Sequence, residues 1–291
     1  MNINTIHNCF GCGVCSIVCS KKFIDICLNE NGFYEPHITN PEKCTNCGLC
    51  FDVCSFSHKD YALKKNEIKS YAAWSKDDII RNKCSSGGIG FELARTLLKE
   101  GFKICGVQYS PEKKRAEHYI ATTEQELMAS IGSKYIQSYT VDGFKAINKK
   151  DKYLVTGTPC QIDSFRRYIQ QRHIESHFIL IDFFCHGIPS KLMWDKYILQ
   201  AEKEVGKILH VSWRDKRLGW HDSWAMNING LKSQRFSKHS QGDMFFRLFL
   251  SDTCLGKACY THCRFKHKHS SADIRLSLIH ISEPTRPRLI S

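Results

Sequence analysis

Two matching runs of four cysteines near the N-terminus constrain the fold of this chain more than any other feature. Each run has the spacing C-x2-C-x2-C-x3-C, and together they supply eight thiols: Cys9, Cys12, Cys15, Cys19, Cys44, Cys47, Cys50 and Cys54. Gaps of two residues let a tight loop place three thiolates around one metal centre, so the fourth must come from elsewhere in the chain. Gly11, Gly13 and Gly48 lie in these loops, where glycine allows positive φ angles and a close backbone approach.

This spacing resembles that of the bacterial two-cluster ferredoxins, in which three thiolates of one run and the last thiolate of the other hold one 4Fe-4S cluster. The pattern assigns the first cluster to Cys9, Cys12, Cys15 and Cys54. It assigns the second cluster to Cys44, Cys47, Cys50 and Cys19. Ser20 and Ser55 stand where ferredoxins usually carry proline, a departure that removes no ligand.

Structural zinc and disulfide bonds are the alternative uses for these cysteines. Zinc sites favour two Cys-x2-Cys pairs separated by a longer loop, which two runs of four match poorly. Disulfides belong to oxidising compartments, but the first eight residues have neither the basic region nor the apolar stretch of a signal peptide. We therefore expect two 4Fe-4S clusters in a cytoplasmic protein. No apolar run in the sequence is long enough to predict a transmembrane segment.

The formal net charge of +13 favours anionic partners. Each oxidised cluster with its four thiolates carries about −2, so two clusters leave about +9. A phosphate-bearing cofactor, an acidic protein or a nucleic acid would each suit this charge. The sequence contains no zinc-finger, helix-turn-helix or aromatic RNA-binding pattern, so we expect no nucleic-acid partner.

Composition divides the chain into four segments. Residues 1–58 form the two-cluster module, residues 59–70 are a polar linker, and residues 71–275 form a larger domain. Residues 276–291 begin LSLIHISEPTR, which resembles the translation of a transposase sequencing adapter. We therefore treat this last segment as non-native and expect the natural chain to continue past Arg275.

The larger domain repeats a strand–loop–helix order. Strands are predicted at Lys152–Thr156 and His177–Phe184, with helices from Gln161 onward and over Lys191–Val205. A strand, a helix and a strand in this order indicate a parallel βαβ unit. The predicted fold class is therefore α+β, with a small two-cluster ferredoxin-like module followed by a larger α/β domain that contains parallel βαβ units.

A further amphipathic helix is predicted before these elements. Ile89, Leu93 and Leu97 share one of its faces, and Gly101 is expected to end it. The turn Ser85–Gly88 precedes this helix. The free N–H groups at a helix N-terminus favour phosphate, so this turn is a candidate anion site.

A second group of cysteines lies in the larger domain. Cys160 and Cys185 follow the two predicted parallel strands, whose carboxyl ends form the sheet edge at which ligands bind. The simplest ligand set for a third 4Fe-4S cluster is Cys160, Cys185, Cys259 and Cys263, which leaves Cys254 spare. Cys84 is another candidate supplier. Cys27 and Cys105 lie in or beside apolar segments and are predicted to be core residues.

Several short segments, taken together and in order, resemble the coenzyme F-420 hydrogenase/dehydrogenase beta-subunit family. They are YAAWSKDDIIR (71–81), SSGG (85–88), GSKY (132–135), GTPCQI (157–162), CHGIPS (185–190), WRDK (213–216), CYTHCRFK (259–266) and ADIR (272–275). An N-terminal double-cluster module also occurs fused to members of this family. The resemblance is specific because the whole set occurs, and not because of any single segment.

The resemblance implies a flavoprotein that holds FAD in its larger domain. By position, FAD would contact Ser86, Gly87, Gly88, Gly132, Ser133, Lys134, Tyr135, Gly157, Thr158, Pro159 and Gln161. Related members act on the deazaflavin coenzyme F-420 or on chlorophyll-type substrates, so the resemblance leaves the substrate open. No catalytic residue is assigned, although His186 and Lys134 are candidates for a proton donor.

Clusters and flavin together predict an iron–sulfur flavoprotein oxidoreductase. A hydride donor exchanges two electrons at once and each cluster exchanges one, so the flavin would convert between them. The expected partners are a ferredoxin or another redox protein, and a small-molecule hydride donor or acceptor. The alternative is a non-enzymatic electron-relay subunit of a larger redox complex.

Overall fold

The computed structural model describes residues 2–64, 67–219, 224–266 and 269–277. The helices are α1 (Val14–Val18), α2 (Leu49–Asp52), α3 (Asp78–Lys83), α4 (Ile89–Lys99), α5 (Glu124–Leu127), α6 (Val141–Lys145), α7 (Pro159–Gln171), α8 (Lys191–Val205), α9 (Met244–Leu250) and α10 (Lys257–Thr261). The strands are β1 (Ile24–Leu28), β2 (Tyr34–Ile38), β3 (Lys103–Ser110), β4 (Arg115–Ala121), β5 (Ser138–Tyr139), β6 (Tyr153–Thr156), β7 (Phe178–Phe183), β8 (Ile208–Ser212), β9 (Ala225–Gly230), β10 (Gln234–Lys238) and β11 (Ile274–Leu276). Within these ranges, no helix combines the length and apolar character that crossing a membrane requires.

The N-terminal module is built on a hairpin and two short helices. Strands β1 and β2 pair antiparallel, with Ile24 opposite Ile38. Helices α1 and α2 each begin directly after a left-handed glycine, Gly13 with a φ of 74° and Gly48 with a φ of 83°. These positive angles confirm the expectation for glycines in the cysteine loops.

The prediction that Cys27 is a core residue is wrong, whereas the prediction for Cys105 is confirmed. Side chains alternate between the two faces of a strand, so Ile24 and Ile26 of β1 are buried while Cys27 is exposed. Strand β3 is covered on both faces, because neighbouring Ile104 and Cys105 are both buried. An apolar segment at a sheet surface therefore does not bury every residue it contains.

The larger domain centres on a six-stranded sheet with the order β11-β7-β6-β3-β4-β5. Strands β11, β7, β6 and β3 run parallel, and β4 runs antiparallel to β3. The segment β6–α7–β7 is the predicted parallel βαβ unit, and the predicted fold class is confirmed. The chain order reverses between β3 and β6, and open sheets bind ligands at such a reversal.

The helices flanking the sheet lie close to their predicted positions. Helix α8 has the predicted bounds, and α4 ends just before Gly101, whose φ of 84° is typical of a helix stop. Helix α7 begins at Pro159, two residues earlier than predicted. Thr158 and Gln161 form a capping box around its first turn, and proline is favoured at the first helical position because it needs no N–H partner there.

A three-stranded sheet and two helices form a second core. The strand order is β10-β9-β8, and both pairings are antiparallel. Trp194 of α8 and Phe245 of α9 are fully buried in this core, where the Trp194 ring stacks on Trp213 at a centroid distance of 5.0 Å. Tyr135 packs against the same core, which therefore supports the loop that carries it.

The two-cluster module packs directly on the larger domain. One apolar core joins Val14 of α1 to Phe144 and Phe165 of the larger domain. Thr140 Oγ1 also donates a hydrogen bond to Cys12 O at 2.8 Å. The cysteine loop is therefore held by the domain on which it packs.

Residues 59–70 are the predicted linker, and its first few residues are hydrogen-bonded to the larger domain. Tyr61 OH donates to Arg264 O at 2.6 Å, and the Ala62 N–H donates to Asp163 Oδ1 at 2.8 Å. Ile68, by contrast, is 71% exposed. The polar composition predicted a linker. Composition cannot reveal the hydrogen-bond partners of this segment, because they lie about a hundred or more positions away in the chain.

Leu276 lies in β11 opposite Phe183 of β7, although residues 276–291 were predicted to be non-native. Strand pairing uses backbone groups, which any extended residue supplies. The rest of that segment, residues 278–291, lies outside the described residues.

Candidate iron–sulfur and cofactor sites

The first cysteine site is a cavity within the N-terminal module. Its lining includes the four thiols that the ferredoxin pattern assigns to one cluster: Cys9, Cys12, Cys15 and Cys54. Burial raises the pKa of Cys12 to about 11, and the neighbouring thiol of Cys54 adds to the shift. These thiols are therefore protonated in the absence of metal and must release protons to bind iron.

The second cysteine site lies nearer the surface. Its lining includes the other predicted set: Cys19, Cys44, Cys47 and Cys50. Cys47 is exposed, whereas Cys50 is buried and has a pKa raised by burial and then by Cys47. Cys50 in turn contributes to the raised pKa of Cys15, so the two sites are neighbours.

Helix α7 connects the first site to the sheet edge. Cys12 Sγ donates to Ser164 Oγ at 3.3 Å, and the Ser55 N–H donates to the same hydroxyl at 2.9 Å. Ser55 Oγ donates to Cys160 O at 3.1 Å, one turn earlier in α7. Proline at position 55 would supply neither donor, which gives a physical reason for the departure from the ferredoxin pattern.

Four cysteines of the larger domain come together beside the start of α7. Burial raises the pKa of Cys185 to about 12, with smaller contributions from the thiols of Cys259 and Cys263. The pKa of Cys160 is raised by burial first, and Cys185, Cys12 and Cys259 then add to it. These contributions indicate that the four thiols predicted for a third cluster lie in one neighbourhood, and Cys160 O accepts from Ser55 Oγ beside the first site.

The loop after β7 carries Cys185 to the segment that contains Cys259. Pro189 forms an antiparallel bridge with Leu255, just before α10 begins. Gly187 makes this close approach possible, since its φ is 151° and a Cβ there would lie 2.6 Å from Leu255 Cδ1.

Cys254 and Cys84, the other two candidate ligands of the larger domain, have different surroundings from these four thiols. Cys254 Sγ donates to Leu248 O at 3.6 Å, and Cys84 lines a different cavity, where burial raises its pKa to about 11. Across the described ranges, no group of three or more His, Cys, Asp or Glu side chains is arranged to hold a single metal ion.

A cavity of about 260 Å³ lies between α4 and the sheet, at the reversal between β3 and β6. Ten of the eleven residues that the resemblance assigns to FAD line it: Ser86, Gly87, Gly88, Gly132, Ser133, Lys134, Tyr135, Gly157, Thr158 and Gln161. The eleventh, Pro159, begins α7 and does not line the cavity. Three separate loops therefore converge on one site.

The N-terminus of α4 opens toward this cavity. Gly88 precedes the helix with a φ of 83°, and the first helical residues line the cavity. Ser86 Oγ is buried and has no hydrogen-bond partner within the described residues. Ser85 Oγ accepts from the Ser133 N–H at 2.7 Å and so joins two of the loops. A buried hydroxyl without a partner beside a helix N-terminus suits an anionic group.

One lysine lines the cavity, and a second contacts the backbone of Ser86 in its wall. Burial lowers the pKa of Lys134 to about 7, and its Nζ donates to Ala129 O at 3.1 Å and to Ile131 O at 3.0 Å. Burial also lowers the pKa of Lys216 to about 8, and its Nζ donates to Ser86 O at 2.9 Å. Lys216 lies in the WRDK segment but is not among the residues predicted for the site.

Comparison with known families decides the relationship. The family that matches is described as coenzyme F420 hydrogenase/dehydrogenase, beta subunit; residues 150–277 match its C-terminal part and residues 70–145 match its N-terminal part. The chain belongs to this family. Residues 8–57 match the 4Fe-4S dicluster domain.

A solved structure of the F420-reducing [NiFe] hydrogenase complex from Methanosarcina barkeri is similar at 17% identity and a TM-score of 0.41. The match covers 64% of this chain and 62% of that one. No curated protein shows significant sequence similarity to this chain.

In this member of the F420 hydrogenase/dehydrogenase beta-subunit family, the N-terminal thiols fit two cubanes. Each cavity brings together the four cysteines of one crossed ligand set. Together with the dicluster match, this geometry makes the chain an iron–sulfur electron-transfer protein of an oxidoreductase family.

The large cavity fits a flavin dinucleotide in part. Its volume is slightly below the range of about 300–1,000 Å³ that is usual for small-molecule sites, so a group of that size would extend beyond it. Gln161 Oε1 accepts from the Thr158 N–H at 2.9 Å, and Tyr135 OH accepts from Arg214 Nη1 at 3.2 Å. Gln161 Oε1 and Tyr135 OH thus have partners within the protein, whereas the buried Ser86 hydroxyl has none among the described residues.

The structure gives two histidines roles that the sequence did not indicate. His186, a candidate proton donor, does not line the cavity, and its Nε2 lies 2.7 Å from Asp252 Oδ1. His118, which was not among the residues singled out from the sequence, is buried on β4 with Nε2 3.0 Å from Thr156 O. Burial lowers the pKa of His118 to about 4, so the neutral ring donates to the carbonyl and holds the end of β6. A lone histidine in a strand gives no sequence signal for this role.

Proposed function

We propose that this chain is an iron–sulfur flavoprotein oxidoreductase with FAD in the cavity between α4 and β6. A small-molecule hydride donor or acceptor, such as a deazaflavin of the F420 type, would react at the open side of that cavity. The clusters would connect this reaction to a ferredoxin or another redox protein. A cytoplasmic location, with residues 1–58 as the cluster module, 59–70 as the connection and 71–275 as the flavin domain, belongs to the same proposal.

The contacts of α7 carry this proposal. Thr158 lines the cavity, and its Oγ1 lies 3.2 Å from Cys160 Sγ in the third thiol group. One turn later Ser164 Oγ lies 3.3 Å from Cys12 Sγ in the first cluster site. A single helix therefore touches the cavity and two sulfur sites, and the second cluster site continues the series to exposed Cys47. This order supports a path for single electrons from the cavity to the surface.

The residues at the cavity have distinct roles in this proposal. When bound, FAD supplies the exchange between hydride chemistry and single-electron transfer. The Ser86 hydroxyl and the first N–H groups of α4 would bind phosphate oxygens. Ile104 and Ile181 line the cavity and exclude water. Lys134, whose pKa is about 7, can hold or release a proton at Nζ near neutral pH.

A third 4Fe-4S cluster is part of the proposal. Its ligands would be the four thiols beside α7: Cys160, Cys185, Cys259 and Cys263. Their mutual effects on pKa support this set, as does the position of Cys160 between the cavity and the first cluster site.

Anaerobic purification with iron, sulfide, zinc and flavin quantified in one sample tests the proposal. We expect one FAD and about 12 irons per chain. Cys185→Ser should lower the iron to about 8, whereas Cys27→Ser, a matched change at an exposed thiol, should leave it unchanged. About 8 irons in the parent chain would overturn the third cluster, and absence of flavin would overturn the cavity assignment.

Substrate-dependent reduction of the bound flavin separates an enzyme from the alternative relay subunit. We expect reduced deazaflavin to bleach the flavin absorbance of the isolated chain. A flavin that only reduced redox proteins can bleach would favour the relay subunit.

A further inference from the structure

Two arginines share one buried carboxylate beside the first and third sulfur sites. Asp163 of α7 is fully buried and accepts from Arg167 Nε at 3.2 Å and from Arg264 Nη2 at 3.3 Å. It also accepts from the Ala62 N–H at 2.8 Å and from Ser271 Oγ at 2.5 Å. The carboxylate is thus saturated, and it holds both guanidinium groups in place.

Arg264 bridges the two sites through the backbone. It directly follows Cys263 of the third group, and its Nη1 donates to Ser55 O at 2.8 Å, directly after Cys54 of the first site. Ser55, whose carbonyl accepts this bond, also donates its Oγ to Cys160 O at 3.1 Å, so one residue connects Arg264 to the third group. The Arg264 Nε is buried and has no hydrogen-bond partner within the described residues. A buried N–H donor without a partner, on the residue that follows Cys263, is available to a sulfur acceptor.

Arg167 is the arginine nearest the first site in this network, as Arg264 is for the third thiol group. It lies one turn after Asp163 on α7 and three residues after Ser164, whose hydroxyl contacts Cys12 Sγ in the first site. Only 15% of the Arg167 side chain and 18% of the Arg264 side chain are exposed. Two guanidinium groups and one carboxylate leave one net positive charge in this partly desolvated region, because arginine stays protonated in proteins.

A structural role accounts for part of this arrangement, because Arg167 Nη2 and Arg264 Nη2 both donate to Asp60 O in the connecting segment. Desolvating three charged groups offsets much of their mutual attraction, so buried ion pairs are weak evidence for stability. The potential of an iron–sulfur cluster, by contrast, depends directly on nearby charge and on hydrogen bonds to its sulfurs.

We propose that Arg264 and Arg167 raise the reduction potentials of the third and first clusters, respectively, and that Asp163 limits this effect by neutralising part of their charge. The inference rests on the proposed function, since it requires clusters at these thiols. Reduction adds one negative charge to a cluster, and a fixed positive charge favours that state. A neighbouring opposite charge shifts an acid equilibrium tenfold or more, and we expect an effect of the same order here.

Potentiometric titration of the holoprotein, followed by EPR of the reduced clusters, tests the sign of each effect. Arg264→Gln and Arg167→Gln should each lower the equilibrium constant for reduction of the adjacent cluster at least tenfold. For one electron this corresponds to a reduction potential lower by about 59 mV. Asp163→Asn keeps the shape of the side chain and should raise both potentials. Arg264→Lys keeps the charge and should stay close to the parent value.

Two references accompany these variants. Arg235→Gln removes a guanidinium that pairs with Glu204 at 3.2 Å on the separate three-stranded sheet, and it should leave every potential unchanged. The surface cluster at Cys47 is an internal reference, because the arginines adjoin the other two sites.

If Asp163 and the two arginines only stabilise the fold, the variants should give a different result. The Arg→Gln and Asp163→Asn changes would then lower thermal stability but leave the potentials equal or move them in one direction, and either result overturns the inference. If Arg264→Gln fails to retain iron, Arg167→Gln and Asp163→Asn still decide the sign, because they are expected to shift the potential of the first cluster in opposite directions. Iron content separates this failure from that of the proposed function, because clusters absent from the parent chain would overturn the latter before any variant is compared.

Discussion

Replacing Gly13 with alanine would test how closely the cluster loop is fitted to the larger domain. Gly13 has a φ of 74°, and the left-handed conformation costs alanine about 1–2 kcal/mol. A Cβ at this position would overlap Thr140 Oγ1 and lie 3.3 Å from Val141 Cγ2. Thr140 would have to turn away from Cys12 O, to which it donates at 2.8 Å, and losing that bond costs about 1 kcal/mol more.

Gly101→Ala is the matched control. Gly101 has a φ of 84°, but a Cβ there would meet no atom within 4 Å. This variant therefore carries only the conformational cost, and Gly13→Ala should exceed it by about 1–2 kcal/mol once the overlap is included. For a chain of this size the difference lowers Tm by about 2–3 °C, measurable by anaerobic thermal denaturation of the cluster-loaded protein.

A second substitution identifies the cause. Adding Thr140→Ala removes the overlapping oxygen, so the double variant should recover part of the difference between Gly13→Ala and the control. Equal Tm values for Gly13→Ala and Gly101→Ala would refute the reasoning, because they would show that the interface absorbs a side chain at position 13.

Three further predictions concern the ligand sets, a buried histidine and the cavity. Cys54→Ser should abolish the EPR signal of the buried cluster and keep that of the surface cluster, Cys19→Ser should do the reverse, and Cys27→Ser should change neither. The pKa of His118 is about 4 in the folded chain and about 6.5 when unfolded, so protonation favours unfolding. This histidine should contribute up to about 3 kcal/mol of stability that is present above pH 6.5 and lost as the pH falls to 4, and His118→Gln should flatten the dependence of Tm on pH between 7 and 5. Ser86→Leu should fill the cavity and lower bound flavin at least tenfold at constant iron, with both measured in one sample.

Each of these predictions has a result that contradicts it. Loss of both cluster signals in Cys19→Ser or in Cys54→Ser would argue against two separate crossed ligand sets. Parallel pH curves for the parent chain and His118→Gln would show that another group governs acid stability. Unchanged flavin content in Ser86→Leu would place the flavin outside the cavity.

The parts of this protein that follow local rules could be predicted. The cysteine spacing predicted which thiols come together, including the exchange of Cys19 and Cys54, because few short loops wrap three corners of a cubane. The order of strands and helices predicted the parallel βαβ unit, because crossover connections have one hand and one geometry. Cys27 was misjudged because an apolar segment does not reveal which face of a strand is buried.

By itself, the sequence determined the ligand types, the glycines that the cysteine loops require and the parallel βαβ order, all of which depend on residues close together in the chain. Only the tertiary structure decided that Cys12 meets Ser164, 152 positions away, and that Asp163 binds Arg264. It also decided that the Ser55 N–H donates to Ser164 Oγ and that His118 Nε2 bonds Thr156 O at the end of β6. These contacts depend on how the module packs against α7 and on which side chains are desolvated there, and neither leaves a periodic pattern in the sequence.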